Sequence, residues 1–174
     1  MTTQTRVEPQ TLMFSDDGLI PNNPRLPLLV YRGAIDLDGA RDPAAAIEKI
    51  FGRHDWGDMW RYGIYPYVHY HSMIHEALGV ARGRANVQFG GPHGREVELA
   101  AGDVAVLPAG TGHFRLEATR DLLVVGGYPP GQSADLCRGP ATREMIARIA
   151  GVPVPATDPV QGAGGPLTTY WRRG

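Results

Sequence analysis

What the chain lacks narrows its chemistry before any motif is considered. There is one cysteine, Cys137, in 174 residues, which excludes an internal disulfide and fits a reducing compartment. A lone cysteine can be reactive, but its ordinary place is a partly buried, inert position. Lysine and arginine nowhere cluster. With 17 basic and 18 acidic residues, a net charge of −1 and a pI near 6.6, nothing tracks a phosphate backbone, so nucleic acid is not an expected partner. Only the terminal pair Arg172 and Arg173 stands out, and it is short. No apolar run approaches the length of a membrane span, so no membrane partner is expected. The opening MTTQTRVEPQTLMF lacks the charged start and apolar core of a signal peptide. The expected location is the cytoplasm. Internal repeats and low-complexity tracts are also missing, and the length suits one domain with a substantial core.

What is present reads mainly as strands. Residues 1–10 are polar and read as loose. Short apolar pieces and turns then alternate to Arg32, and LPLLVYR reads as a strand that lies along a sheet edge or crosses to a partner subunit. Asp42 followed by Pro43 marks a helix start, Ile47, Ile50 and Phe51 recur at helical spacing, and Gly52 stops it. The aromatic series Trp56, Trp60, Tyr62, Tyr65, Tyr67 reads as core or rim packing, with Tyr65 and Tyr67 near enough to line a cavity. From Arg84 the pattern is strands of about five residues between glycine turns. ANVQF and REVEL form a hairpin around GGPHG, and LLVVGGY is the last core strand. Ala141 to Ala150 forms a second helix with Met145, Ile146 and Ile149 on one face. The Pro- and Gly-rich tail is expected to wrap the outside, anchored by Leu167, Tyr170 and Trp171.

The stretch GIYPYVHYHSMIHEALGVARG, from Gly63 to Gly83, holds three of the six histidines. His69 and His71 share one face of an extended strand, roughly 6 to 7 Å apart, so both imidazoles can meet one ion. After a turn over Ser72 to His75, Glu76 opens an apolar strand and adds a carboxylate. A second block, GDVAVLPAGTGH, places His113 at the start of another strand. Three histidines and a carboxylate from three strand ends suit a divalent transition metal (Fe, Mn, Ni, Zn or Cu) rather than Ca or Mg. His54 and His93 read as structural or exposed. His75 competes with Glu76, because strand neighbours face opposite ways. The bulky set Glu76, Leu78, Val80 should fill the interior, while Ala77, Gly79 and Ala81 admit a close layer outside. This favours Glu76, with His75 as the alternative if the bend shifts the phase by one residue.

The spacing Gly63, five residues, His69, one, His71, four, Glu76, six, Gly83 resembles the first motif of the cupins. Gly102, five, Pro108, one, Gly110, two, His113 resembles their second motif, whose frequent closing asparagine is Glu117 here. The two blocks cover Gly63 to about Val125. The whole chain resembles a small bacterial group of single-domain cupins carrying HYHS, HE and GDV with PAG, of unassigned role. The resemblance implies an all-β fold, a double-stranded β-helix or jelly-roll barrel with about two peripheral helices. Its barrel core would span about 26–128, with a helix and wrapping tail over 129–174. It further implies a metal at the barrel mouth and a homodimer.

Alternation after His113 places Arg115 and Glu117 inward, where a cationic fork and a carboxylate can hold and deprotonate a small acid; a cross-strand salt bridge is the plain alternative. Candidate catalytic residues are therefore Glu117, Arg115 and His75. The leading expectation is a metal-dependent enzyme such as an Fe(II) oxygenase acting on a small polar or carboxylic substrate. A metal-dependent isomerase or epimerase of a small sugar or keto acid, with Glu117 or His75 moving a proton, is the second. A non-catalytic ligand-binding or sensing cupin is the third.

Overall fold

The computed structural model describes residues 6–172. Residues 1–5 of the segment read as loose, and Arg173 of the terminal pair, lie outside the described residues. In chain order the elements are β1 (Gln10–Leu12), β2 (Leu28–Tyr31), α1 (Pro43–Arg53), β3 (Gly57–Tyr62), β4 (Glu76–Arg82), β5 (Arg84–Phe89), β6 (Arg95–Ala100), β7 (Val104–Leu107), β8 (His113–Ala118), β9 (Leu123–Tyr128), α2 (Arg143–Gly151) and α3 (Pro166–Tyr170).

Two antiparallel sheets face each other. One is six-stranded in the order β1-β2-β7-β4-β9-β3, the other three-stranded in the order β6-β5-β8. This is an all-β jelly roll with minor helices. The chain crosses between the sheets at β4–β5, β6–β7, β7–β8 and β8–β9, so consecutive strands are seldom neighbours, and the barrel interior is filled from both layers. Leu28, Val30, Leu78, Val80, Ala105 and Val124 of the larger sheet meet Ala85, Val87, Phe89, Val97 and Leu99 of the smaller.

The larger sheet is also buried on its outer face. Ala77, Ala81, Val104, Val106 and Val125 pack there against Ile47 and Phe51 of α1 and against Leu167 and Trp171 of the tail. Helix α1 begins as its sequence dictates, with the Asp42 carboxylate accepting from the Ala45 amide at 3.1 Å and Pro43 in the first turn. The small residues of β4 have a reason. A Cβ on Gly79 would lie 2.7 Å from Ile47 Cγ2 and 3.2 Å from the Phe51 ring, so the missing side chain is what lets α1 sit down. The bulky alternates Leu78 and Val80 point the other way, into the barrel, and this sets the phase that puts Glu76 inside.

The hairpin β5–β6 pairs Arg84 with Ala100 through Phe89 with Arg95, and helix α2 starts at Thr142, whose hydroxyl caps the Met145 amide. Other expectations are modified. β2 is not the edge strand: it lies between β1 and β7, and β1, in the segment read as turns and short apolar pieces, forms the edge. β3 emerges within the aromatic segment that read only as packing. Asp58 there has φ +49°, and the pairing with β9 shifts register between Gly57 and Trp60, so the period of two is broken in the sequence. α3 is an addition to the expected elements. In the tail, Leu167 and Trp171 are fully buried, but Tyr170 is exposed.

Gly79→Val is expected to lower stability by about 1–3 kcal/mol in urea unfolding, because overpacking outweighs the strand preference of valine.

Candidate metal centre

The centre begins with a backbone bridge. His69 N–H donates to the His113 carbonyl at 3.2 Å, and His113 N–H donates back at 2.9 Å. The Gly110 amide, released by the turn before β8, donates to the His71 carbonyl at 2.7 Å. These bonds fix the extended 69–71 segment beside the start of β8. Register brings in the carboxylate, since Glu76 opens β4 opposite Leu107 of β7. Three strand ends thus converge at one mouth of the barrel.

Side-chain geometry completes the cluster. The ligating atoms of His69, His71 and His113 lie within 4.8 Å of one another. Glu76 is 97 % buried by residue area, being 3 % exposed, and its oxygens lie 3.5 Å from His71 Nε2 and 3.6 Å from His113 Nε2. The opposite ring nitrogens are all committed. Nδ1 of His69 bonds the Tyr67 carbonyl at 3.0 Å, Nδ1 of His113 bonds the Thr111 carbonyl at 3.1 Å, and Nδ1 of His71 bonds the Asp135 carbonyl. A carbonyl only accepts, so each Nδ1 must carry the proton. In the neutral rings the lone pairs are therefore on the three Nε2 atoms, the second-layer arrangement that prepares histidine for a metal.

Electrostatics agree with that reading. Burial, reinforced by the neighbouring His113, holds His69 down to about 3, so it is neutral at ordinary pH. Burial also opposes charge on His71, but the Glu76 carboxylate and the groups of Asp135 outweigh it and raise His71 to about 9. Burial likewise works against an ionised Glu76, yet His71 and His113 hold it well below the usual carboxylate range. A buried carboxylate that depends on adjacent positive charge is suited to a cation, which supplies the charge that a proton on His71 otherwise provides. Ligand bonds of about 2.1 Å require donor atoms about 3 to 3.5 Å apart, so modest side-chain rotation closes the set. The residues present fit a divalent ion.

The cluster opens into a cavity of about 370 Å³. Ile64, Leu78 and Leu136 give it apolar wall, and Trp60, Tyr62, Tyr65 and Tyr128 give it aromatic wall. Trp60 donates its indole N–H to the Tyr128 hydroxyl at 2.9 Å, and that hydroxyl in turn interacts with Glu76. Gly126 makes the first bond possible, because a Cβ there would fall 2.0 Å from the indole. Tyr65 lines the cavity as expected. Tyr67 stacks behind it at 4.9 Å and carries Arg138 over its other face.

Three expected site residues sit elsewhere. β5 pairs Val87 with Arg115 and Asn86 with Glu117, leaving Leu116 between them as a bulge. The extra residue reverses the phase, so Glu117 is exposed on the barrel exterior. Arg115 is half-buried and is not among the residues lining the cavity. His75 is fully buried on the far side of β4's inward face. Its Nδ1 accepts from the Ala109 amide at 2.9 Å, and its ring packs on Trp171 at 4.8 Å. The bend after His71 does not shift the phase, and Glu76 faces the histidines.

Asp135 is the residue that sequence reasoning missed. It lies in the strap following β9, and its carboxylate accepts from Ser72 N at 2.9 Å, Ser72 Oγ at 2.5 Å and Met73 N at 3.1 Å. Nothing local in GQSADLC signals this. Tyr128 was within reach, because Val124, Gly126 and Tyr128 share the inward face of β9.

Titration with Zn(II) should show one ion per chain. Asp135→Ala is expected to weaken uptake 10- to 100-fold by freeing the His71 ring. His75→Gln should leave stoichiometry unchanged while costing about 1–3 kcal/mol of stability for the disturbed buried bond. Isothermal calorimetry and urea unfolding separate the two effects.

Against known proteins, no family model matches the chain. Among solved structures, similarity extends to a DUF861-family protein from Thermotoga maritima (20 % identity, 46 % of this chain and 83 % of that one, TM-score 0.31). It extends also to procruciferin, an 11S globulin of Brassica napus (13 %, 78 % and 36 %, TM-score 0.40). In sequence, the chain is 42 % identical over 166 residues to the uncharacterized protein YjlB of Bacillus subtilis (strain 168), covering 94 % of this chain and 97 % of that protein. At that identity over nearly the full length of both, this chain belongs to the YjlB family.

Proposed function

We propose that the chain is a metal-dependent enzyme of the oxygenase class, holding its ion with His69, His71, His113 and Glu76. One observation carries the proposal: three imidazoles, each fixed by a carbonyl on Nδ1, turn their Nε2 atoms and an adjacent buried carboxylate toward one point at the head of a largely apolar cavity. These four side chains would hold the ion, and on a six-coordinate ion they would leave positions open for small molecules. Iron(II) in such a set supplies activation of dioxygen and polarisation of a substrate oxygen.

The chain's own groups do the rest. His69, His71 and His113 keep their tautomers because the carbonyls forbid the other one. Ile64 and Leu78, both buried, give the inner cavity apolar wall beside the histidines. The Tyr128 hydroxyl accepts from Trp60 and donates its one proton to Glu76, so it fixes that carboxylate at the head of the cavity.

An isomerase needs a base in reach of the substrate carbon. The groups considered for that task, Glu117 and His75, lie outside the cavity, which favours the oxygenase.

The test is metal analysis after expression, then dioxygen uptake by iron-loaded protein with a panel of phenols, enols and small carboxylic acids. Uptake matched by substrate loss is expected; protein isolated without iron and showing no uptake would sink the reading. Tyr128→Phe should weaken metal uptake about tenfold in calorimetry, because Glu76 loses the hydroxyl that orients it. Arg115→Ala and Glu117→Ala should both stay within about twofold of the parent, as neither group lines the cavity.

A further inference from the structure

Resting on the metal-site reading above, we infer that the cavity takes an uncharged, flat, ring-bearing molecule that meets the metal through a hydroxyl or enol oxygen, and that it rejects the carboxylic acid expected from the sequence. The charge on the cavity wall is one-sided. Glu76 and Asp135 both contribute to the lining, and no lysine or arginine does among the described residues.

Two nearby arginines are engaged elsewhere, and a third is not in the lining. Arg148 donates to Ser72 Oγ at 3.2 Å, behind the strap. The guanidinium of Arg138 lies 3.9 Å from the centroid of the Tyr67 ring, on the face opposite Tyr65. Arg115 is half-buried in β8 outside the lining. A carboxylate or phosphate away from the metal end would meet a wall that offers no lysine or arginine, so it would give up hydration without a hydrogen-bonded counter-charge in return.

The rest of the wall suits a ring. Trp60 and Tyr65 present aromatic surface, and Ile64, Leu78 and Leu136 supply aliphatic contact. Trp60 is held by its bond to Tyr128 and by the absent side chain of Gly126, so its indole is already placed when a ligand arrives. Rigid aromatic walls favour a flat ligand because little side-chain freedom remains to be lost on binding. The polar contacts are confined to the histidine end and to the Tyr128 hydroxyl, so one end of the ligand is polar and the other is not.

The test compares two probes with the same metal-binding diol, 4-methylcatechol and 3,4-dihydroxybenzoate, which differ in a methyl or a carboxylate at the far end. Binding is read on the full chain loaded with Zn(II), which is redox-inert, by calorimetry and by quenching of tryptophan fluorescence. The methyl probe is expected to bind at least about tenfold more tightly. Leu136→Lys, at a half-exposed position of the wall, removes one aliphatic contact from both probes and is expected to shift the ratio of their affinities about tenfold toward the carboxylate probe; an unchanged ratio would overturn the inference. Equal or tighter binding of the carboxylate probe by the parent protein would overturn the inference, as would binding of neither probe by protein that takes up one zinc per chain. Failure to take up zinc would overturn the metal site and this inference together. Tight binding of the methyl probe, with no dioxygen consumed by the iron form, would overturn the oxygenase reading alone.

Discussion

The pair of amide bonds between His69 and His113 is the constraint on which the centre depends. The 69–71 segment is not a strand in its own right, and little else in its neighbourhood is regular. Two backbone bonds to the start of β8, with a third from Gly110 to the His71 carbonyl, turn an irregular segment into an extended one at the histidines. Once that backbone is extended, alternation aims both imidazoles the same way. The same extension presents the Tyr67 carbonyl to His69, two residues on, and the Thr111 carbonyl to His113. Backbone pairing thus sets both the direction of the rings and their tautomers.

His71 is the exception, and its solution is non-local. Its Nδ1 partner is the carbonyl of Asp135, sixty-four residues later, and Asp135 is held by the turn that His71 begins. Ser72 and Met73 donate to its carboxylate, Cys137 donates its thiol at 3.2 Å, and Tyr70 exchanges backbone bonds with Cys137 at 2.9 Å each way. Strap and turn are therefore one unit. Cys137 has a structural place in it: burial and the adjacent Asp135 raise its thiol pKa, which keeps it protonated and unreactive. Since Ala134 and Leu136 also line the cavity, the strap that orients one histidine also shapes the cavity wall.

How much of this was legible in the sequence follows from how far each feature reaches along the chain. The all-β character, the two principal helices and the histidine pair rest on short-range periodicity, which a sequence displays directly, while the jelly-roll topology followed from the resemblance to the cupins. The choice of Glu76 over His75 was legible too, because Leu78 and Val80 against Ala77, Gly79 and Ala81 reveal which face meets α1. Failures occurred where one residue was inserted or where the partner was distant. The Leu116 bulge is defined only by its pairing with β5, so alternation carried past it put Glu117 on the wrong face. β3 was hidden by the left-handed backbone at Asp58, and Asp135 by its place in a loop whose meaning comes from Ser72 and His71.

These two kinds of legibility divide the centre. Its carboxylate, Glu76, opens β4 in the sheet buried on both faces, where a shift of one residue would turn Leu78 and Val80 out of the barrel and force α1 off Gly79. His113 opens β8 of the smaller sheet, and His69 and His71 are tied to it by the backbone bridge. The cavity wall, with Trp60 on a bulged edge strand, Tyr128 at a strand terminus and Leu136 on the strap, sits where side chains can change at small cost to the core. The donor set therefore follows from the architecture. The character of the wall, aromatic and without a fixed cation, does not follow from it, and so carries the information about what this particular chain binds.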